Sequence, residues 1–152
     1  MVKSQSSILI RCSVPDLFHF VATDFVRNYP RWSPEVQQLT PLSSGPLAVG
    51  WTARQVRIDQ GRRSEADFKV IALEPERRVC FKGIKDPFEI NYFFEPHFDY
   101  TRLTFSFEMA RLGFGLRPFE KLIRVAVKEG TDRVVRDLKT LAERELGQKK
   151  TD

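Results

Sequence analysis

Tyr92 is the side chain whose type and position best suit chemistry inside a protein. On an extended segment it shares parity with Phe88, Ile90 and Phe94, so its phenol emerges on an otherwise apolar face. A tyrosine placed there directs its hydroxyl either to a ligand or to a nearby backbone carbonyl. Arg54 is the second candidate, sharing parity with Thr52, Val56 and Ile58. From an inward face it would bind an anionic head group, but the pattern over residues 50–58 does not assign that face. Trp32, just ahead of Ser33-Pro34, either covers a cavity mouth or packs against its neighbours.

Other reactive types are sparse. Of the two histidines, His19 lies between Phe18 and Phe20 and reads as a part-exposed neighbour of the core, and His97 follows Pro96 in a turn at the surface. Glu108, opposite Phe107, reads as solvated. No His, Cys, Asp and Glu set has metal-ligand spacing, no Ser-His or Cys-His pair stands out, and Gly113-Phe114-Gly115 lacks the rest of a nucleotide loop. Neither a metal nor a cofactor is expected. Catalysis would need a positioned acid or base, for which Tyr92 is the main resource.

Composition narrows the setting. A chain of 152 residues with 41% hydrophobic content and thirteen phenylalanines can bury a core without metal or disulfide support. The net charge is +5, but the basic pairs Arg62-Arg63, Arg77-Arg78 and Lys149-Lys150 are interspersed with acids, so a solvated surface is expected rather than a nucleic-acid partner. The N-terminus lacks the apolar run of a signal peptide and no stretch is long and apolar enough to span a bilayer, which points to the cytoplasm. Cys12 and Cys80 fall on opposite faces by parity, so no disulfide is expected. Oligomeric state is not legible.

These side chains need a frame. Residues 6–14 alternate Ile8, Ile10, Cys12 and Val14 against Leu9, Arg11 and Ser13, a strand with one drier face. Pro15 suits the start of a short helix carrying Leu17, Phe18, Phe20 and Val21 inward; Asp24 suits the cap of a second short turn that Pro30 closes. From about residue 35 to 110 the period is two. Turn signals recur at Ser44-Gly45-Pro46, Asp59-Gln60-Gly61, Glu74-Pro75-Glu76, Asp86-Pro87 and Glu95 to Asp99, which predicts an antiparallel meander. One face gathers Val79, Phe81 and Gly83, then Phe88 to Phe94, then Leu103, Phe105, Phe107 and Met109; the other is polar. Residues 64–73 group Ala66, Phe68, Val70 and Ala72, although Ile71 and Leu73 on the opposite parity blur that strand.

Arg111 to Arg117, with two glycines, reads as a mobile connection into a helix from Pro118 to Leu146, roughly 43 Å long at about 1.5 Å per residue. Its apolar stripe runs through Phe119, Ile123, Ala126, Val127, Gly130, Val134, Leu138, Leu141 and Ala142. Pairs Glu120/Arg124, Asp132/Arg136, Arg133/Asp137 and Lys139/Glu143 have the spacing of ion pairs on its outer face. A glycine within the stripe, Gly130, either lets the sheet approach or leaves room for a ligand. Residues 1–147 read as one domain and 148–152 as a frayed tail.

The segment VPDLFHFVATDFVRNYPRWSP resembles the opening signature of the START/Bet v 1-like (SRPBCC) superfamily, in particular its polyketide cyclase/dehydrase-like branch. The likeness continues through Val49-Gly50, Leu73-Glu74-Pro75, Phe94-Glu95-Pro96 and Thr101-Arg102-Leu103-Thr104. It implies an α+β helix-grip fold: a curved antiparallel sheet of about seven strands around the long C-terminal helix, with two short helices after the first strand. It also implies a cavity for a lipid, polyketide or quinone-like molecule. Faces and resemblance together nominate Trp32, Arg54, Phe68, Val70, Phe81, Ile90, Tyr92, Phe94, Phe105, Phe107, Ala126, Gly130 and Val134 as its lining. With few polar fittings, binding or carriage is expected ahead of catalysis. A cyclase, aromatase or dehydrase, or an interaction module without a ligand, are the alternatives.

Overall fold

A computed structural model describes residues 1–110 and 114–147. The strands are β1 (Val2–Ile10), β2 (Val36–Pro41), β3 (Thr52–Asp59), β4 (Arg62–Glu74), β5 (Arg78–Gly83), β6 (Phe88–His97) and β7 (Tyr100–Met109). They form one antiparallel sheet in the order β1-β7-β6-β5-β4-β3-β2, so the meander is closed on one side by the first strand. Helix α1 (Val14–Phe18), a π-helical turn (His19–Thr23) and α2 (Phe25–Trp32) connect β1 to β2 across one end. The 27-residue helix α3 (Glu120–Leu146) is about 40 Å long and packs on β1 and β7. The expected helix-grip arrangement is the one found.

Local departures have physical causes. Strand β1 begins at Val2, four residues before the predicted start, because its serines are satisfied by the helix. Ser6 Oγ donates to Thr131 Oγ1 at 2.9 Å, and the Ser4 and Thr131 hydroxyls lie 3.1 Å apart. It stops at Ile10, and the Ser13 hydroxyl accepts the Asp16 N–H to open α1. In the wide turn that follows, the Asp24 N–H donates to the His19 carbonyl at 2.9 Å, and Asn28 Nδ2 satisfies the Phe20 carbonyl at 3.0 Å. Asp24 makes no capping bond and instead meets His19 Nε2 at 3.3 Å. Pro30 does not close α2 but lies within it. Having no N–H, Pro30 cannot donate to the carbonyl of Val26 one turn back, in a residue that is itself exposed.

The blurred strand is explained by a bulge. Val70 pairs with Phe81 but Ala72 pairs with Cys80, so one extra residue shifts the parity. Ala66, Phe68, Val70 and Leu73 therefore face inward, and Ala72 turns outward with Cys80. Both cysteines are buried without forming a disulfide, and burial pushes the Cys80 thiol up to about 11. The turn predicted over Glu95 to Asp99 is only Phe98-Asp99, with β6 running through Pro96. Beyond Phe93, β6 has lost its β5 partner, so Pro96 removes no hydrogen bond on that side.

Helix α3 begins at Glu120, after a 3-10 helix (Phe114–Phe119) that contains Pro118. The predicted mobile connection falls partly, and the frayed tail wholly, outside the described residues. Of the four predicted pairs, Glu120–Arg124 (3.0 Å) and Lys139–Glu143 (2.6 Å) form. Asp132 instead takes Lys128 (3.0 Å), and Arg133 reaches Glu35 (3.5 Å).

Burial along α3 starts at Thr131 and continues with Val135, Leu138, Leu141 and Ala142, so only the C-terminal half is anchored. Its last turns are clamped by charge. Glu143 accepts from the Arg11 N–H (2.8 Å) and Lys139, whose ammonium also reaches the Leu9 carbonyl (2.7 Å), while Arg31 pairs with Glu145. Burial alone would raise the Glu143 carboxyl, but Lys139 and the Arg11 N–H outweigh it and hold it below its usual range; the Arg31 hydrogen bond does the same for Glu145. A depressed carboxyl contributes stability above its unfolded pKa, about 4.3, and loses it as pH falls through the folded value. Amide protection in the last turns of α3, taken relative to the intrinsic exchange rate at each pH, should therefore fall on acidification before protection in β5 and β6. Glu143→Gln should remove part of that dependence, and uniform protection down to pH 3 would contradict the clamp.

Candidate ligand cavity

A cavity of about 540 Å³ lies between the inner face of the sheet and the N-terminal half of α3. Ala126, Val127, Gly130 and Val134 form the helical wall. Phe88, Ile90, Phe107 and Met109 face them from β6 and β7, with Tyr92, Phe105 and Trp32 deeper. The space exists because α3 rests on β1 and β7, leaving the sheet beyond β7 uncovered at this end. Gly130 decides between the two sequence readings: a Cβ added there would meet nothing within 4 Å. It therefore leaves room rather than permitting close approach. Gly83 is the opposite case, where a Cβ would sit 2.7 Å from the Phe88 ring.

One side of the cavity is polar. The Tyr29 hydroxyl accepts from Arg57 Nη1 (3.1 Å) and donates to Gln55 Oε1 (2.8 Å), and Arg57 reaches both Asp59 oxygens (3.2 and 3.1 Å). Burial pushes the Tyr29 and Tyr92 phenols above their usual range, against a smaller opposing effect of the Arg57 guanidinium, so both are protonated at neutral pH. Burial would lower Arg57, but its bonds to Asp59 and the neighbouring acids hold it above its usual value. Arg57 with Asp59 and Arg133 with Glu35 are paired within the protein. Trp32 Nε1 is buried without a hydrogen-bond partner among the described residues, though it acts electrostatically on the adjacent Tyr92 hydroxyl.

Eight nominated residues line this space: Trp32, Ile90, Tyr92, Phe105, Phe107, Ala126, Gly130 and Val134. Trp32 sits in the buried wall rather than over a mouth. Phe68, Val70, Phe81 and Phe94 do not line it, because the two short helices fill the space over them. Phe25 stacks between Tyr29 (4.7 Å) and Phe81 (4.6 Å) and meets Phe68 edge-on at 6.3 Å, while Phe18 meets Phe94 at 5.2 Å. These four are core.

Arg54 is on the wrong face. The register Ala53↔Phe68 and Gln55↔Ala66 turns odd-numbered positions of β3 inward. Arg54 projects outward and pairs with Asp67 at 2.8 and 3.1 Å, holding that carboxyl below its usual range. The inward cation is Arg57. Its signal was present in the alternation of Trp51, Ala53 and Gln55, none of them charged, whereas Tyr29 and Glu35 carried no pattern of their own. Arg54→Ala should leave the thermal midpoint nearly unchanged, as loss of a solvent-screened exposed pair does, and leave cavity binding unaltered. A clear binding loss would contradict this orientation.

A seven-stranded antiparallel sheet gripping one long helix over an apolar cavity defines the helix-grip class of hydrophobic-ligand-binding folds. Residues 1–143 match the family described as polyketide cyclase / dehydrase and lipid transport, and the chain belongs to that family. No curated protein matches it. Among solved structures, the di-domain ARO/CYC StfQ from the steffimycin biosynthetic pathway superposes with a TM-score of 0.76 at 16% identity, covering 96% of this chain and 52% of StfQ. The Polyketide_cyc-like protein from Corynebacterium glutamicum gives 0.66 at 24% identity over 94% and 93% of the two chains. Major latex-like protein 151 from Panax ginseng gives 0.67 at 17% identity over 91% and 95%. At these identities the likeness is one of fold. Among the described residues, no His, Cys, Asp and Glu group is arranged to hold a metal ion, and no helix is long and apolar enough to cross a membrane.

Proposed function

We propose that this protein binds or carries a hydrophobic small molecule, lipid, polyketide or quinone-like, in the cavity between α3 and the sheet. The observation that carries the reading is the open space beside Gly130, faced by Ile90 and Phe107. A glycine within a helix costs about 1 kcal/mol relative to alanine, and here no close contact requires it. Because the two cations that line the cavity, Arg57 and Arg133, already pair with Asp59 and Glu35, no anionic group is expected on the part of the ligand that enters it. Native mass spectrometry of gently purified protein should show a co-purifying apolar species, or an apolar fluorophore should bind stoichiometrically with a blue shift. Failure of both, across a panel of lipids, polyketide-like aromatics and quinones, would remove the reading.

A second reading, catalysis on a polyketone, is favoured by the Arg57–Tyr29–Gln55 chain bordering the cavity. Two protonated phenols suit the role of acid rather than base. Turnover of a model polyketone that is lost in both Tyr29→Phe and Tyr92→Phe would support it; equal turnover by the parent and both variants would exclude it.

A further inference from the structure

We propose that the deep end of the cavity is a hydrogen-bonding subsite for a neutral carbonyl oxygen, in which Tyr92 donates to the ligand and Trp32 positions the Tyr92 hydroxyl. This rests on the binding reading above and narrows it, from any apolar molecule to a ketone- or quinone-type one that enters oxygen first. Two tyrosines line the cavity, and they differ in what their hydroxyls meet. Tyr29 accepts from Arg57 and donates to Gln55, so both of its roles are filled inside the protein.

The Tyr92 hydroxyl has no acceptor among the described residues, and its neighbours on the same face of β6, Phe88, Ile90 and Phe94, are apolar. Trp32 Nε1 is, among those residues, the one side-chain nitrogen or oxygen both fully enclosed and without a partner. It lies against the Tyr92 oxygen, the two rings being 6.1 Å apart at 76°. The Tyr92 oxygen is not enclosed and opens on the cavity that its ring lines. An indole nitrogen can only donate, so its N–H takes the accepting side of the phenol and leaves the phenol hydrogen to point away, into the cavity. Burial keeps that phenol protonated, and it is a donor at neutral pH.

Indole and phenol thus form a chain of donors that lacks its last acceptor. A buried donor without an acceptor costs free energy; a hydrocarbon ligand leaves that cost in place and a carbonyl oxygen removes it. Accepting from the phenol also strengthens the contact behind it, because linked hydrogen bonds polarise one another. A carboxylate is the wrong acceptor, since Arg57 and Arg133, the cations that line the cavity, are already paired. Trp32, Tyr92 and Phe105 are the buried end of the lining, so the oxygen leads and the apolar body fills the space beside Gly130.

The test compares acetylnaphthalene with ethylnaphthalene, neutral probes of nearly equal shape that differ in one carbonyl oxygen. Tyr92→Phe should lower the ratio of ketone to hydrocarbon affinity by about twofold to tenfold, the range of one neutral hydrogen bond, and Trp32→Phe should lower it by a smaller factor. The carbonyl stretch of the bound ketone reads the bond itself. In the parent it should lie below its value in hydrocarbon solvent, return to that value in Tyr92→Phe, and return part of the way in Trp32→Phe. Purely structural roles would change the affinity for both probes alike and leave the stretch where it was. Tyr92→Phe should melt no lower than the parent, because the hydroxyl it removes has no acceptor. An unchanged ratio, or a lowered stretch that persists in Tyr92→Phe as a cavity water would give, overturns the proposal while both probes still bind. Binding of neither probe to the parent counts against the binding reading itself, and the proposal falls with it.

Discussion

Gly130→Leu is expected to weaken small-molecule binding at least tenfold while leaving the protein folded, and more stable than the parent. Two independent physical facts combine. First, Gly130 lies in α3 with nothing within 4 Å of an added Cβ, so a leucine enters the cavity without displacing backbone. Second, replacing a mid-helix glycine gains roughly 0.8–1 kcal/mol of propensity, and the new side chain buries apolar surface against the wall that includes Ile90 and Phe107. For a domain of this size that corresponds to a thermal midpoint higher by about 2–4 °C per kcal/mol. Gly130→Ala is the control: it gains the same propensity but fills little of the space, so the midpoint should rise with binding nearly intact. Titration with an apolar fluorophore, paired with thermal melts of all three proteins, reads both quantities. Loss of folding in Gly130→Leu, or unchanged affinity, would contradict the assignment of this space as a ligand site.

Leu138→Ala, two turns further on, should behave in the opposite way. Leu138 is fully buried in the core cluster and holds the anchored half of α3 against the sheet. Removing its three outer carbons should cost about 2–5 kcal/mol, through lost apolar burial and the void left behind. Because a domain is stable by only about 5–15 kcal/mol, this is a large fraction of the total. Urea unfolding should show the midpoint falling with an unchanged slope, and Leu122→Ala should stay within about 0.5 kcal/mol of the parent. Comparable losses at the two positions would mean that the N-terminal half of α3 is packed as tightly as the rest. The two substitutions together separate side chains that anchor α3, such as Leu138, from exposed ones near its start, such as Leu122, while the cavity is walled by the stretch from Ala126 to Asp137.

Much of the architecture was legible because alternation and helical period report burial directly. The faces of β5, β6 and β7 were readable from Val79 and Phe81, from Ile90 to Phe94, and from Leu103 to Phe107, since each strand has one dry side. The long helix was readable from its stripe. Parity failed in two places, each for a local reason. One residue added at the β4 bulge reverses which side chains face inward, and a bulge leaves no mark in a run as uniformly apolar as Val70-Ile71-Ala72-Leu73. On β3, polar residues occupy both faces, so only the pairing with β4 shows that Gln55 and Arg57 point inward and Arg54 outward.

The division between core and cavity was beyond the reach of pattern. Phe81 and Phe107 have the same residue type on the same face of adjoining regions of the sheet. Phe81 is core because Phe25, from an element far away in sequence, stacks on it at 4.6 Å, whereas Phe107 borders the cavity that Gly130 helps to wall on the α3 side. By itself the sequence determined that an apolar sheet face and an amphipathic helix must meet, because each needs the other to bury its hydrophobic side. Only the tertiary structure decided where they fail to meet, because that depends on which helix residues lie opposite which strands, and on Gly130 offering no side chain where the gap is left.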